Sequence, residues 1–182
     1  MQHTLVALVE DKPGVLNRVA SLFRRRAFNI ESLTVGHTDC PGVSRMTIVV
    51  DSNEVSTEQV VNNLYKLVNT LHVTDLAATP SVQRDLALIK VRSEAATRTE
   101  IMQLVDVYRA RIVDVANDSM IVEITGVEEK INSFVDVLKP FGIVEMVRTG
   151  IVAMARGSNA NPEFNLHAVQ NDSSYVSQEY CH

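Results

Sequence analysis

Along the first half of the chain, hydrophobic and polar positions form strand-like and helix-like patterns that follow one another in a regular order. Short, dense apolar runs are typical of buried strands, and apolar residues recurring every three to four positions are typical of amphipathic helices. The pattern predicts six elements, which in chain order are a strand over residues 4–10, a helix over 14–28, strands over 30–36 and 45–51, a helix from the Ser56/Gln59 capping box and a strand over 71–77. The order βαββαβ is that of a ferredoxin-like, or split βαβ, unit.

The same order recurs after the break at Thr79-Pro80-Ser81. The predicted elements are a strand over residues 86–91, a helix from the Thr97/Glu100 capping box, strands over 111–115 and 120–125, a helix that stops before Pro140 and a strand over 143–148. The fold class is therefore α+β, with two ferredoxin-like βαββαβ units in tandem.

Four segments follow from this pattern. Residues 1–79 are predicted as the first domain, 80–84 as a linker and 85–157 as the second domain. Residues 158–182 are polar and without hydrophobic period, which predicts a disordered tail. As an alternative, its scattered aromatic residues could anchor a partner.

The turn between the first strand and the first helix carries the candidate chemistry. Pro13 suits the first turn of a helix, and Asp11 can cap amides that have no intrahelical partner. Gly14 lacks a Cβ, so another group can approach its backbone. We expect a cradle for a small carboxylate-bearing ligand, with Asn29 returning to the same neighbourhood at the head of the next strand. The alternative is a capped helix whose glycine serves packing.

The second unit has no counterpart of this turn. Its opening strand is followed by Ser93-Glu94-Ala95-Ala96, which contains neither glycine nor proline. We therefore expect the second unit to share the architecture of the first without its ligand cradle.

Charge and composition exclude several functional classes. A net charge of −5 counts against a broad nucleic-acid footprint. Cys40 and Cys181 lie far apart and indicate no disulfide framework, which favours a reducing compartment. The chain has no apolar run long enough to span a bilayer and enters a strand pattern almost at once, without a signal segment. We expect a cytoplasmic protein.

Catalytic patterns are hard to find in the sequence. The five histidines show no metal-ligand spacing, and phosphate-loop, dinucleotide and nucleophile-elbow motifs are absent. Glu10 and Asp11 are adjacent, so in a strand-to-helix turn they point different ways and form no acid–base pair. The residues favour binding over chemistry.

Three segments together resemble a known family. Asp11-Lys12-Pro13-Gly14-Val15-Leu16 is similar to the signature turn of ACT domains, which are βαββαβ modules that bind amino acids. The segments Phe28-Asn29-Ile30-Glu31-Ser32-Leu33-Thr34-Val35 and Ser44-Arg45-Met46-Thr47-Ile48 narrow the likeness. At this spacing the chain resembles the regulatory (small) subunits of acetolactate synthase, also called acetohydroxyacid synthase, over residues 1–157. Members of that family often carry Asn where this chain has Asp11.

The resemblance implies a regulatory chain without a cofactor or active site of its own. The family's catalytic (large) subunit uses thiamine diphosphate, magnesium and FAD, and the small subunit activates it and confers feedback inhibition, usually by valine. The implied effector-binding residues are Asp11, Gly14, Val15, Leu16, Asn29 and Ile30. The implied assembly is a homodimer through ACT domains that binds the catalytic subunit.

Two hypotheses from other classes stay open. The chain could be a stand-alone ACT-type amino-acid-binding regulator of transcription or of another metabolic enzyme, or it could be an ACT-containing enzyme without a recognisable catalytic motif. The lack of a helix-turn-helix pattern and the acidic balance count against a transcription regulator.

Overall fold

The computed structural model describes residues 2–51, 57–77 and 79–157. The segment predicted as a disordered tail, residues 158–182, lies outside the described residues.

The described residues form two compact units. The first contains residues 2–82 together with 153–157, and the second contains residues 83–152. Each unit combines one antiparallel sheet with helices, so the predicted α+β class is confirmed.

The first unit follows the predicted βαββαβ order. Its elements are β1 (Gln2–Glu10), α1 (Val15–Arg25), β2 (Ile30–His37), β3 (Val43–Asp51), α2 (Thr57–Leu64) and β4 (Thr70–Asp75). The four strands form one sheet in the order β2-β3-β1-β4, in which every neighbouring pair is antiparallel. β2 and β4 are therefore the edge strands of this sheet.

The core of the first unit lies between one face of the sheet and its helices. α1 buries one stripe at helical spacing, and the central strands bury alternate residues, as their two periods require. The buried side chains of this core include Leu5, Ala7 and Val9 of β1, Met46, Ile48 and Val50 of β3, and Val15, Val19, Leu22 and Phe23 of α1. Phe23 also meets Phe28 edge to face, with ring centroids 5.8 Å apart.

The helices of the first unit are shorter than the sequence predicts. α1 begins at Val15 and ends at Arg25. α2 ends at Leu64, although apolar residues at helical spacing continue to Val68, because Leu67 already belongs to a turn in which its carbonyl accepts the Thr70 N–H. Val68 is consequently almost fully exposed.

The second unit repeats the order with one additional strand. The elements of its sheet and helices are β5 (Ser81–Arg92), α3 (Arg98–Val107), β6 (Arg111–Val115), β7 (Ser119–Gly126), α4 (Glu128–Leu138), a short 3₁₀ turn (Lys139–Phe141), β8 (Ile143–Arg148) and β9 (Val152–Ala155). The first two residues of β5 and the last three of β9 belong to the first unit. The sheet order is β6-β7-β5-β8, and β9 also pairs with β5.

A buried ion pair joins two strands of the second unit. Asp85 is only 3% exposed and accepts hydrogen bonds from Arg148 Nε at 2.7 Å and from Thr149 Oγ1 at 3.1 Å. Arg148 Nη1 also donates to Asn132 Oδ1 of α4 at 2.9 Å. The buried carboxylate is thus fully partnered, as burial of a charge requires.

β5 and β9 differ from the sequence prediction. β5 begins at Ser81 rather than near residue 86, because a strand can start directly after a proline, here Pro80. It therefore runs through most of the segment predicted as a linker. β9 was not predicted, and its end is fixed by Arg156, whose N–H donates to the Pro80 carbonyl at 2.7 Å.

Two observations concern Cys40 and the helices. Cys40 is buried beside Leu8 and Val43. The other cysteine, Cys181, lies outside the described residues. No helix among the described residues is both long and apolar enough to cross a bilayer.

Candidate functional site

The turn formed by residues 11–14, here called the 11–14 turn, connects β1 to α1. Gly14 is the N-cap of α1 and has a φ of 86°, a left-handed conformation that favours glycine over other residues. A Cβ built on Gly14 would have no atom within 4 Å. The surface over Gly14 is therefore open to a ligand.

Three backbone amides around Gly14 are unpaired among the described residues. They belong to Gly14, Leu16 and Asn17, because the first helical hydrogen bond runs from the Arg18 N–H to the Gly14 carbonyl. The Val15 N–H donates to the Lys12 carbonyl at a long 3.3 Å. Free amides at the positive end of a helix can hold an anion, so the turn can accept a carboxylate.

Leu16 lies beside these amides on the outer face of α1. Its side chain is 47% exposed, whereas the neighbouring Val15 side chain is buried in the core. Leu16 therefore offers apolar surface next to the amides, and Val15 contributes to the site through its backbone.

Asp11 does not cap α1, contrary to the sequence expectation. Its N–H donates to the Gly42 carbonyl at 2.8 Å, which extends the β1–β3 pairing by one residue. Its carboxylate consequently lies beside the end of β2, with Oδ2 3.2 Å from His37 Nδ1. No side chain in the described part of the chain caps Gly14, and both Asp11 and His37 are exposed.

Asn29 lies at the opposite end of the sheet from the 11–14 turn, so the expectation of a shared neighbourhood within one chain is wrong. The end of β1, Glu10, pairs with Val43, and the start of β2, Ile30, pairs with Val50. These two positions on β3 are separated by about 20 Å at the usual rise per strand residue. The helix between β1 and β2 carries the chain back before β2 begins.

Asn29 and Ile30 nevertheless leave a polar and an apolar side chain accessible at the start of β2. The Asn29 side-chain amide donates to Glu31 Oε1 at 2.7 Å, and both residues are exposed. Ile30 is half-buried and packs against the core, so part of its side chain is accessible.

The corresponding turn of the second unit is occupied by its own side chain. The Arg98 guanidinium reaches into it and donates to the carbonyls of Ser93, Ala116 and Asn117 at 3.1, 2.9 and 2.8 Å. The N-cap of α3, Thr97, has a φ of −101° and carries a side chain, so this turn lacks the open, left-handed glycine of the first unit.

Sequence patterns missed His37 and Asn69. His37 ends a predicted strand, which carries no hint of its contact with Asp11. Asn69 binds Glu10 and Arg18, which are 59 and 51 residues away in the chain. Contacts at that separation leave no local pattern, and the sequence shows only an asparagine shortly before a predicted strand. Among the described residues, no three His, Cys, Asp or Glu side chains gather as metal ligands.

Two family models cover most of the described chain. Residues 5–72 match the AHAS small subunit-like ACT domain, and residues 84–157 match the small subunit of acetolactate synthase. The two matched segments correspond to the two βαββαβ units.

Individual proteins show the same similarity over nearly their whole length. A probable acetolactate synthase small subunit of Archaeoglobus fulgidus is 52% identical over 158 residues, which are 87% of this chain and 99% of the relative. The acetolactate synthase small subunit of Mycobacterium leprae is 53% identical over 155 residues, covering 85% and 92% of the two chains.

A solved structure agrees with this assignment. The crystal structure of an acetolactate synthase small subunit from Thermotoga maritima matches with a TM-score of 0.81 and 43% identity, covering 86% of this chain and 98% of that one. Sequence, domain order and fold thus agree, and the chain belongs to the family of acetolactate synthase small subunits.

Proposed function

We propose that this chain is the regulatory subunit of an acetolactate synthase, that it activates a thiamine-diphosphate-dependent catalytic subunit, and that it confers feedback inhibition by valine. Family membership supports the regulatory role. The single observation that supports an amino-acid effector site is the open, left-handed Gly14 next to the unpaired amides of α1.

The effector contacts follow from the chemistry of the 11–14 turn. The valine carboxylate binds the amides at Gly14 and Leu16, with the weakly engaged Val15 amide between them. The ammonium group binds near the Asp11 carboxylate. The isopropyl group contacts the exposed apolar surface of Leu16.

Asn29 and Ile30 complete the site from a second chain. β2 is an edge strand, and exposed edge strands tend to pair. A closed two-fold pairing of two β2 edges is antiparallel, and a register centred on Leu33 sets Asn29 of one chain opposite His37 of the other. His37 contacts Asp11, so this pairing brings Asn29 and Ile30 to the partner's 11–14 turn.

The same geometry accounts for coupling between effector and assembly. A ligand bound across the dimer favours one arrangement of the two chains, and effectors of this kind typically contribute roughly 1 to 3 kcal/mol of coupling. This coupling would favour one state of the complex with the catalytic subunit, whose active site uses thiamine diphosphate, magnesium and FAD.

The test is reconstitution with the catalytic subunit of the same organism. Acetolactate formation is measured with and without this chain, in the presence of the three cofactors, and titrated with valine, leucine and isoleucine. We expect the chain to raise the rate and valine to lower it again. A chain that binds no catalytic subunit, or that leaves its rate unchanged at saturation, would refute the proposal.

A further inference from the structure

Asn69 lies between α2 and β4 and connects the two sides of the 11–14 turn. It is only 8% exposed. Its Nδ2 donates to Glu10 Oε2 at 2.5 Å, and its Oδ1 accepts from Arg18 Nη1 at 2.6 Å. The Asn69 carbonyl also accepts the Glu10 N–H at 2.9 Å. The buried Asn69 therefore makes hydrogen bonds with its side-chain Nδ2, its side-chain Oδ1 and its backbone carbonyl.

The two partners of Asn69 flank the turn in sequence. Glu10 is the residue before Asp11, and the N–H of Arg18 donates to the Gly14 carbonyl at 3.0 Å. The pairing of β1 with β4 is irregular at this point, since the register shifts between Leu8 and Val9. Such irregularities redirect side chains near functional sites, and here Val9 follows the shift directly and Glu10 is the next residue.

Glu10 is held in its charged form at this position. The pKa of its carboxyl is lowered chiefly by the hydrogen bond from Asn69 and further by Lys12, whose Nζ donates to Oε1 at 3.0 Å. Burial acts in the opposite direction and is outweighed. An ionised Glu10 accepts hydrogen bonds only, so the donor end of Asn69 must face it.

We infer that Asn69 is the positioning residue of the effector turn: by binding Glu10 on one side and Arg18 on the other, it sets the distance between the end of β1 and the first turn of α1. The amides around Gly14 are directed by that spacing. The inference rests on the proposed function, because it assigns Asn69 its role through the effector site.

The test separates the two contacts of Asn69. Asn69→Asp keeps an acceptor for Arg18 but sets a carboxylate against Glu10. We expect the dissociation constant of L-valine for the full-length chain, measured by calorimetry, to rise at least tenfold. Glu10→Gln combined with Asn69→Asp reverses the direction of the hydrogen bond at unchanged net charge. We expect this double variant to bind valine within threefold of the natural chain.

Asn63→Asp is the matched control for burying a new carboxylate in the same unit. Asn63 is 7% exposed; its Nδ2 donates to the Gln59 carbonyl at 2.7 Å, and its Oδ1 accepts from Lys66 Nζ at 3.4 Å. Neither of these hydrogen bonds involves the 11–14 turn. Its replacement should change thermal stability without changing valine affinity. A merely structural role for Asn69 would give the two single variants the same binding profile.

The pH profile gives a second readout. The pKa of Glu10 is lowered in the fold, so its carboxylate stabilises the protein above the ordinary glutamate value of about 4.3, and this stabilisation is lost as the pH falls through the folded value. The stability deficit of Asn69→Asp should therefore be largest near neutral pH and shrink in acid.

The outcomes distinguish this inference from the proposed function. If the natural chain binds no valine, the proposed function fails. If the natural chain binds valine and Asn69→Asp binds it equally well, the inference is overturned. Should Asn69→Asp fail to fold, the double variant decides: restored folding with restored binding supports the inference, and restored folding without binding overturns it. A double variant that also fails to fold would show that reversing the hydrogen bond does not replace Asn69, which overturns it as well.

Discussion

The Nδ1 atom of His37 lies 3.2 Å from the Oδ2 atom of Asp11, which joins the last residue of β2 to the first residue of the 11–14 turn. Asn29 precedes the other end of the same strand. Because a two-fold pairing of β2 edges exchanges the ends of the strand, this contact links the proposed effector site to the proposed dimer.

Replacement of Gly14 by aspartate should remove valine inhibition and preserve activation. The new carboxylate would lie where the effector carboxylate is proposed, and like charges about 4 Å apart repel by roughly 4 kcal/mol at an effective dielectric of about 20. Even half of that repulsion corresponds to more than a tenfold loss of valine affinity, since about 1.4 kcal/mol is one factor of ten. Gly157→Asp is the control, because Gly157 has a similar φ of 77° and equally open surroundings. Acetolactate formation titrated with valine measures activation and inhibition for both variants. If the Gly14→Asp protein remains fully sensitive to valine, the effector does not bind at this turn.

Asn29→Ala should weaken valine inhibition less than Gly14→Asp does, since it removes one polar contact worth about 1 kcal/mol.

Mixed dimers test whether the effector site is shared between two chains. A dimer of one Gly14→Asp chain and one Asn29→Ala chain retains one intact site only if the turn and Asn29 come from different chains. We expect the mixture to regain part of the valine response. A mixture no more sensitive than the two separate variants would favour a site within one chain.

The isolated chain should be a dimer by light scattering, and Val35→Pro should make it monomeric. The Thr38 N–H donates to the Val43 carbonyl, so by alternation Gly36 and Thr34 face β3 and the Val35 N–H points outward from the edge. Proline removes that donor and is tolerated in edge strands. Val35 is 42% exposed, so little core packing is lost. Val35→Thr keeps the donor and should remain dimeric; a monomeric natural chain at micromolar concentration would contradict the prediction.

Arg148→Ala should destabilise the second unit by about 3 to 5 kcal/mol, because it leaves the buried carboxylate of Asp85 without its cationic partner. Arg111→Ala is the control: Arg111 is exposed, and its ion pair with the half-buried Glu123 at 3.4 Å should contribute no more than about 1 kcal/mol. Urea unfolding of both variants measures the difference. Equal midpoints would show that the buried pair adds no more than the exposed one.

Truncation after Arg156 should leave the fold, the dimer and the valine response intact. The prediction follows from the polar, aperiodic composition of residues 158–182. Arg156 itself is retained because its Nε donates to the Ser81 carbonyl at 3.2 Å and holds the end of β9. Circular dichroism, light scattering and the reconstituted assay check the three properties. If the shortened chain folds but no longer activates the catalytic subunit, residues 158–182 are needed for binding to that subunit.

The sequence alone determined the elements and their class. Helical spacing over Val15, Val19 and Leu22 and dense apolar runs in the strands specify which faces are buried, and burial of those faces leaves a βαββαβ arrangement in each half. The family resemblance also followed from local segments. Local periods suffice for these features because each depends on residues that are close together in the chain.

Only the tertiary structure decided where the site residues lie relative to one another. The antiparallel register separates Asn29 from Gly14 by the length of the sheet, and pairing with Gly42 turns the Asp11 carboxylate towards His37. Asn69 acquires its role from contacts more than fifty residues away. Such relationships depend on strand order and register, which a one-dimensional pattern of hydrophobic positions leaves undetermined.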